Sequence, residues 1–149
     1  ISAELPIVFP VHPRTRQQIA AVGAGWFLDN PRVLALPPIG YFEMLGLMID
    51  ARLVLTDSGG MQEETTALGV PCLTLRHNTE RPITLSHGTN TLVGTEPQAL
   101  RAGVTDVLRN GGKKARQTDI WDGRAAQRIV ADLLAWLTVT PVIPADMSR

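Results

Sequence analysis

A polar, glycine-bearing turn follows one of the apolar segments of the chain and could bind an anion. The residues Asp57, Ser58, Gly59 and Gly60 separate the apolar run Leu53–Thr56 from a helical pattern. The first N–H groups of a helix have no partner within the helix and carry partial positive charge. Glycines at that point let a phosphate approach the backbone closely. The turn therefore predicts a phosphate seat, and the alternative is an ordinary helix N-cap formed by Asp57 or Ser58.

Two glutamates and an arginine near this turn could bind the rest of a nucleotide. Glu63 and Glu64 are expected in the first turn of the helix, where acidic side chains also favour the helix dipole. A carboxylate beside a phosphate seat can accept hydrogen bonds from both hydroxyls of a ribose. Arg81, within the segment Thr79–Pro82, is a planar donor suited to a phosphate or a base edge. Its alternative role is a surface ion pair with Glu80.

A histidine stands at the end of the first apolar segment, between two prolines. This residue, His12, is expected beyond a strand on the side of the phosphate seat, as a donor to a phosphate or a polarised oxygen. The alternative is a purely structural histidine. The spacing of His77, His87 and Cys72 does not resemble a zinc site, so the sequence predicts no metal.

Five short apolar runs predict the strands that position these residues. The runs are rich in valine, isoleucine and leucine and do not alternate, which is typical of parallel strands buried on both faces. They are Ile7–Val11, Val33–Pro37, Leu53–Thr56, Cys72–Leu75 and Thr91–Gly94. Helical patterns lie between them, so an α/β fold of parallel strands with helices on both faces is predicted. Ligands of such folds bind beyond the carboxyl ends of the strands, where the candidate residues lie.

Local signals predict where the helices begin and end. Gly69 and Pro71 should stop the third helix, and Thr95 with Gln98 resembles a capping box that opens a later one. The last helix is predicted over Gly123–Leu137, and an apolar stripe on it is expected in the core. The stripe consists of Ile129, Leu133, Trp136 and Leu137.

Composition excludes several classes of partner. Fourteen basic and fourteen acidic residues cancel, and no run of lysine or arginine indicates nucleic acid or a membrane surface. The single cysteine, Cys72, lies in an apolar run and is expected to be a buried thiol. Without an apolar run of about 18 residues or a basic leader, a cytoplasmic protein is expected. Because the chain enters a strand almost at once and lacks an initiator methionine, we expect an excised domain of a larger protein.

Taken together, the motifs resemble the C-terminal half of the non-hydrolysing UDP-N-acetylglucosamine 2-epimerases. Asp-Ser-Gly-Gly, Gln-Glu-Glu and Thr-Glu-Arg-Pro occur in order and at the family's spacing, with FPVHPRT upstream and WDGRAAQRIV downstream. The resemblance covers nearly the whole chain. It implies a Rossmann-like UDP-binding domain over residues 1–137, one half of a GT-B two-domain fold, followed by a tail over 138–149.

The same resemblance implies a reaction. Members of the family interconvert UDP-GlcNAc and UDP-ManNAc by removing the C2 proton, expelling UDP to leave a glycal, and returning both with inversion at C2. No redox cofactor or metal takes part. The implied partners are the UDP-sugar, the N-terminal domain of the same enzyme and, at full length, a second copy in a homodimer.

Roles carry over residue by residue. The turn Ser58-Gly59-Gly60 is similar to the family's diphosphate seat, Glu64 to its ribose ligand, and Arg81 to a nucleotide contact. These assignments depend on the resemblance as well as on the local chemistry described above.

Three further positions lie in the first two turns beyond strands. His12 matches the family histidine that assists departure or return of UDP. Ile39 and Met44 match positions that hold the uracil, but relatives carry glutamine and phenylalanine there, so only backbone contacts transfer. The family's acid and base carboxylates belong to the N-terminal domain, so the chain alone should bind UDP without turnover.

Two alternatives stay open at this point. A hydrolysing 2-epimerase, which releases free ManNAc, would use nearly the same nucleotide half. The second alternative is a GT-B glycosyltransferase or a stand-alone nucleotide-binding module without chemistry. Glycosyltransferases usually share only a looser pattern of two glycines and a glutamate, whereas this chain has the complete set of motifs.

Overall fold

The computed structural model describes residues 1–116 and 121–139 of the 149-residue chain. These residues form two compact units. The first, Ile1–Ala115, contains all the strands found in the described residues and five helices, and the second begins at Arg116 and contains the last helix. The domain boundary expected at residue 137 stays a prediction, and positions 140–149 of the expected tail lie outside the described residues.

Five strands form where the apolar runs predict them, and every paired neighbour is parallel. Within the described residues, hydrogen bonds divide the strands into two sheets, β1–β2 and β3–β4–β5. The predicted parallel α/β fold is confirmed, with the strands following one another in chain order within each sheet. The strands are β1 Ile7–Pro10, β2 Val33–Leu36, β3 Val54–Thr56, β4 Cys72–Thr74 and β5 Asn90–Leu92.

The described residues contain six α-helices, and glycine ends the third, as predicted, and also the fifth. Gly69 and Gly111 adopt the left-handed conformation, with φ of 73° and 82°, which a residue without a Cβ enters without strain. The sequence did not predict α4 or a 3₁₀ turn at Gly25–Phe27. The helices are α1 Pro13–Ala21, α2 Tyr41–Ile49, α3 Gly59–Leu68, α4 Pro82–Ser86, α5 Pro97–Asn110 and α6 Ala125–Val139.

The expected capping box at the start of α5 is wrong. The N-cap is Glu96 instead of Thr95, and it makes no side-chain capping hydrogen bond. Pro97 takes the first helical position, for which its fixed φ and its missing N–H are suited. The proline therefore moves the start of the helix one residue beyond the position that the Thr95 and Gln98 pattern requires.

Helices pack on both faces of the three-stranded sheet. Successive side chains of β4 point to opposite faces, and each face contacts a different helix. Leu73 packs with Val104 and Val107 of α5 in one apolar cluster. Its neighbour Cys72 faces Thr65 of α3 on the other side. The thiol is 0% exposed, and burial raises the pKa of Cys72, while hydrogen bonds with Thr65 and then Thr74 act in the opposite direction. The prediction that Cys72 is buried is confirmed.

Burial on both faces does not extend to the first two strands. Val8 of β1 lies opposite Leu34 of β2 in register, and their side chains are 44% and 58% exposed. A run of apolar residues does not distinguish a strand covered on both sides from one covered on a single side. The expectation of complete burial therefore holds for β4 but not for the two-stranded sheet.

The apolar stripe of α6 is present, but its assignment to the core is wrong. The exposed fractions of its four residues lie between 53% and 63%. Helical periodicity identifies the apolar face of a helix but carries no information about which surface covers it. Among the described residues, none of the helices is long and apolar enough to cross a bilayer.

Two glycines provide a test of packing in the first unit. We expect Gly88→Ala to destabilise the fold by about 1 to 3 kcal/mol, because a methyl group there would lie 2.5 Å from the Thr84 carbonyl oxygen, which cannot swing aside. Gly46→Ala, in the exposed middle of α2 with no atom within 4 Å, should stabilise it by about 0.5 to 1 kcal/mol. Urea unfolding measures both, and equal stability of Gly88→Ala and the parent would contradict the packing.

Candidate functional site

The N-terminus of α3 has no side-chain cap. Ser58 occupies the N-cap position, yet its side chain makes no capping hydrogen bond, and its N–H donates to Thr56 Oγ1 at 3.0 Å. Asp57 and Ser58 are both exposed. The first N–H groups of α3 therefore have no side-chain acceptor among the described residues, which favours the anion seat over the ordinary N-cap.

The two glycines of the turn have different surroundings. A Cβ on Gly59 would lie 2.5 Å from Glu80 Oε1 and 3.8 Å from Arg81 Cγ, so the absence of a side chain lets the loop after β4 approach α3. A Cβ on Gly60 would meet only Ser58 Oγ, at 3.9 Å. The expected close approach of a ligand to the backbone is thus possible at Gly60, while the space at Gly59 is filled by Glu80.

Arg81 forms an ion pair with Glu63 of α3, and the ion pair with Glu80 that was its alternative role does not occur among the described residues. Its Nε lies 3.2 Å from Glu63 Oε2, at ion-pair distance but without the alignment of a hydrogen bond. Glu80 instead pairs with Arg76 at 3.1 Å. The backbone N–H of Glu80 lowers the pKa of that carboxyl, with smaller contributions from Arg76 and Arg81. The arginine therefore lies beside the turn as expected, although its partner is different.

The two glutamates lie one turn later than expected. Because α3 begins at Gly59, its first turn contains no acidic residue, and Glu63 and Glu64 belong to the second turn. Residues four apart in a helix share a face, and side chains lean towards the N-terminus. Glu64 therefore lies on the same face of α3 as Gly60, and Glu63 on the face of Gly59, where its carboxylate is next to Arg81. The helix dipole alone does not account for either carboxylate, since its effect is confined to the first turn.

His12 caps a helix and is exposed. It is the N-cap residue of α1, and its Nδ1 accepts a hydrogen bond from the backbone N–H of Arg14 at 3.3 Å. An accepting Nδ1 assigns the proton of the neutral ring to Nε2, which is then a donor. The structural and the functional roles of His12 thus use different ring nitrogens and are compatible.

The two residues expected near a base lie in different elements, Ile39 in the turn after β2 and Met44 within α2. Ile39 is half-buried directly before the α2 N-cap, Gly40, which makes no side-chain capping hydrogen bond. Met44 packs against a core cluster that includes Met48 and Val54. Hydrogen bonds and ion pairs of the described residues do not connect His12 or Ile39 with the cluster around α3.

Sequence reasoning missed two residues of this cluster, Gln62 and Thr79, and the pairing of Glu63 with Arg81. The sequence signal for Glu63 was its spacing of four residues from Gly59, which places both on one face of the helix. Gln62 and Thr79 share a hydrogen bond of 2.6 Å. Gln62 belongs to the Gln-Glu-Glu motif and Thr79 to the Thr-Glu-Arg-Pro motif, but only the fold shows that the two motifs are in contact. In the part of the chain that the structure describes, no group of three His, Cys, Asp or Glu residues could hold a metal ion.

Comparison with known proteins places these features in a family. A model of the UDP-N-acetylglucosamine 2-epimerase family matches residues 1–134. The UDP-N-acetylglucosamine 2-epimerase of Methanococcus maripaludis is 44% identical over 108 residues, which are 72% of this chain and 30% of the relative. The UDP-2,3-diacetamido-2,3-dideoxy-D-glucuronate 2-epimerase of Pseudomonas aeruginosa is 38% identical over 134 residues, 89% of this chain and 35% of the relative.

A solved structure extends the similarity to the fold. The UDP-GlcNAc 2-epimerase of Methanocaldococcus jannaschii, in complex with UDP-GlcNAc and UDP, matches with a TM-score of 0.76 at 39% identity, over 89% of this chain and 36% of that chain. The chain thus spans about a third of the length of the relatives it matches. The expected Rossmann-like fold, one half of a GT-B arrangement, is confirmed. The chain belongs to the UDP-N-acetylglucosamine 2-epimerase family.

Proposed function

We propose that the chain is the UDP-binding half of an enzyme that interconverts UDP-GlcNAc and UDP-ManNAc. The observation that carries the proposal is the uncapped N-terminus of α3, with Glu64 one helical turn after Gly60 and Arg81 beside Gly59. This set offers backbone N–H donors for a diphosphate, the Glu64 carboxylate as an acceptor for a ribose, and the Arg81 guanidinium as a nearby cation. The solved relative that holds UDP-GlcNAc and UDP supports the choice of ligand.

Each group of UDP has a partner of matching chemistry in this proposal. The diphosphate binds at the turn Ser58-Gly59-Gly60 and accepts hydrogen bonds from the backbone N–H groups that follow Ser58, where the helix dipole favours negative charge. The Glu64 carboxylate accepts from the ribose hydroxyls, and the Arg81 guanidinium contacts the nucleotide. The backbone around Ile39 and Met44 borders the uracil.

The reaction proposed for the complete enzyme moves a proton and a leaving group. A base in the remaining part of the enzyme takes the C2 proton, and the C1–O bond breaks with its electron pair passing to the phosphate oxygen of UDP. UDP then adds back to the glycal while C2 receives a proton on the opposite face. Because a proton leaves and a proton returns, no net oxidation occurs. The Nε2–H of His12 stabilises the negative charge on the departing UDP.

The nucleotide assignment predicts the effect of two substitutions on UDP affinity. Glu64→Ala and Arg81→Ala should each weaken binding roughly ten- to a hundredfold, because each removes a charge-assisted hydrogen bond that contributes about 1.5 to 3 kcal/mol. Titration calorimetry with UDP measures this. Matched controls are Glu96→Ala and Arg109→Ala, which remove an exposed acid and an exposed base from α5 and its N-cap. Unchanged affinity in both site variants would refute the assignment.

The double use of His12 predicts that capping and catalysis can be separated. His12→Ala should lower the free energy of unfolding by about 0.5 to 2 kcal/mol because the cap is lost, whereas His12→Asn supplies a new cap. Both variants should lower kcat of the complete enzyme about 10²- to 10³-fold, more than they raise KM, because both lose the Nε2 donor. The measurements are a melting curve and kcat per folded molecule. If kcat of His12→Asn stays within a few-fold of the parent, His12 has a structural role and does not take part in catalysis.

The outcome at C2 and the identity of the sugar need a separate assay. A hydrolysing enzyme would release free ManNAc, and a non-hydrolysing one would return UDP-ManNAc, so analysis of products from the complete enzyme decides between them. The relative named for UDP-2,3-diacetamido-2,3-dideoxy-D-glucuronate differs in the substituents of its sugar, while UDP is common to both names. Because the residues proposed here contact only UDP, they do not distinguish the two sugars. Incubating the complete enzyme with each of the two sugar nucleotides in turn identifies the substrate.

A further inference from the structure

A network of buried polar side chains connects α3 to the loop that carries Arg81. Four of its five members are 0% exposed, and the fifth, Thr79, is half-buried. Its members come from α3, β4, β5, α4 and the loop after β4. We call it the Gln62 network, and it consists of Gln62, Thr74, Thr79, Thr84 and Asn90.

The direction of each hydrogen bond in the network can be assigned. Thr84 Oγ1 donates its proton to the carbonyl oxygen of Arg81 at 2.7 Å, so it can only accept from Asn90 Nδ2, at 3.0 Å. The amide of Asn90 is thereby oriented, with Oδ1 accepting from Thr74 Oγ1 at 2.6 Å. The same Nδ2 group donates to Gln62 Oε1 at 2.9 Å. The amide oxygen of Gln62 is therefore the acceptor end of the network.

Two branches of the network hold the backbone of Arg81. In one branch, the Thr79 hydroxyl donates to Gln62 Oε1 at 2.6 Å, and Thr79 Oγ1 accepts from the N–H of Arg81 at 2.9 Å. In the other, Asn90 donates to Thr84, which donates to the carbonyl oxygen of Arg81. The N–H and the C=O of one residue are thus both bound by hydroxyls, of which Thr79 bonds to the Gln62 oxygen directly and Thr84 is joined to it through Asn90.

Gln62 carries a structural cost at this position. Its Nε2 is inaccessible and has no hydrogen-bond partner among the described residues. A buried donor without a partner lowers stability, so the side chain is not optimal for stability alone. Its oxygen, in contrast, accepts two hydrogen bonds. This asymmetry indicates that the acceptor function is what the position requires.

We infer that Gln62 is a positioning residue for Arg81, an inference that rests on the proposed UDP-binding function. Through Thr79 and Asn90 the buried amide fixes the backbone of Arg81. The Arg81 side chain is thereby held with its Cγ near Gly59 and its guanidinium beside Glu63 of α3 before the ligand arrives. A side chain ordered in advance loses less conformational freedom on binding.

Thr79 allows the inference to be tested with little disturbance of the core. Thr79→Val keeps the shape of the side chain and removes the hydroxyl that joins Gln62 to Arg81, whereas Thr79→Ser keeps the hydroxyl. We expect Thr79→Val to weaken UDP binding about three- to thirtyfold, and Thr79→Ser to stay within about threefold of the parent. Thr91→Val, at an exposed threonine of β5 outside the network, is the matched control and should bind like the parent.

A double-mutant cycle separates positioning from a general structural effect. If Thr79 acts through Arg81, Thr79→Val should have little further effect on UDP affinity when Arg81→Ala is already present. Gln62→Met, which removes the acceptor at similar length, should follow the same pattern. If this fully buried variant does not fold, the Thr79 variants still decide. Titration calorimetry with UDP, accompanied by a melting curve for each variant, provides the readout.

Each outcome supports or overturns a specific statement. Loss of affinity in Thr79→Val, recovery in Thr79→Ser and no further loss with Arg81→Ala support the inference. Unchanged affinity in Thr79→Val, or an equal loss in the presence and absence of Arg81, overturns it while the proposed function stands. A parent chain that does not bind UDP would overturn the proposed function, and the inference with it.

Discussion

Helix α3 is held against the sheet by hydrogen bonds between buried polar groups, and the candidate site depends on that attachment. Thr65 and Thr66 donate back to carbonyls of their own helix, at 2.7 Å and 2.8 Å, while Gln62 reaches across to the neighbouring elements. Hydrogen bonds are directional and weaken steeply with misalignment, unlike apolar contacts. The helix therefore has little freedom to rotate or slide, and its N-terminus is presented in one orientation.

The two faces of the three-stranded sheet have different physical roles. On the α5 side, Leu73, Val104 and Val107 form an apolar cluster that stabilises the fold through burial, which is insensitive to small displacements. On the α3 side, the polar layer contributes less net stability for each group but fixes geometry, because every misplaced donor or acceptor would lose a partner. Geometry is thus fixed mainly on the α3 side of the three strands, where an apolar cluster of Met48, Val54 and Val70 also contributes burial.

Local features of the chain were predictable from sequence, and contacts between distant segments were not. The strand at Cys72 and the end of α3 at Gly69 follow from apolar runs and from the conformational freedom of glycine, which are properties of a few adjacent residues. The bonds from Gln62 to Thr79 and Asn90 join residues 17 and 28 positions apart, and nothing in either segment alone indicates the other. The partner of Arg81 was missed for the same reason. The start of α5 was displaced because the preference of a proline exceeded that of a capping pair.

The polar layer under α3 also restricts the routes by which this sequence can change over evolutionary time. Exchange of Thr84 for an apolar residue would leave the Asn90 amide without one acceptor, and exchange of Asn90 alone would remove the acceptor of the Thr74 hydroxyl and one of the two partners of the Thr84 hydroxyl. Each single step therefore passes through a less stable protein, while a joint exchange of several positions need not. Related chains should differ here by whole sets of residues, and the set that a chain carries would record its line of descent.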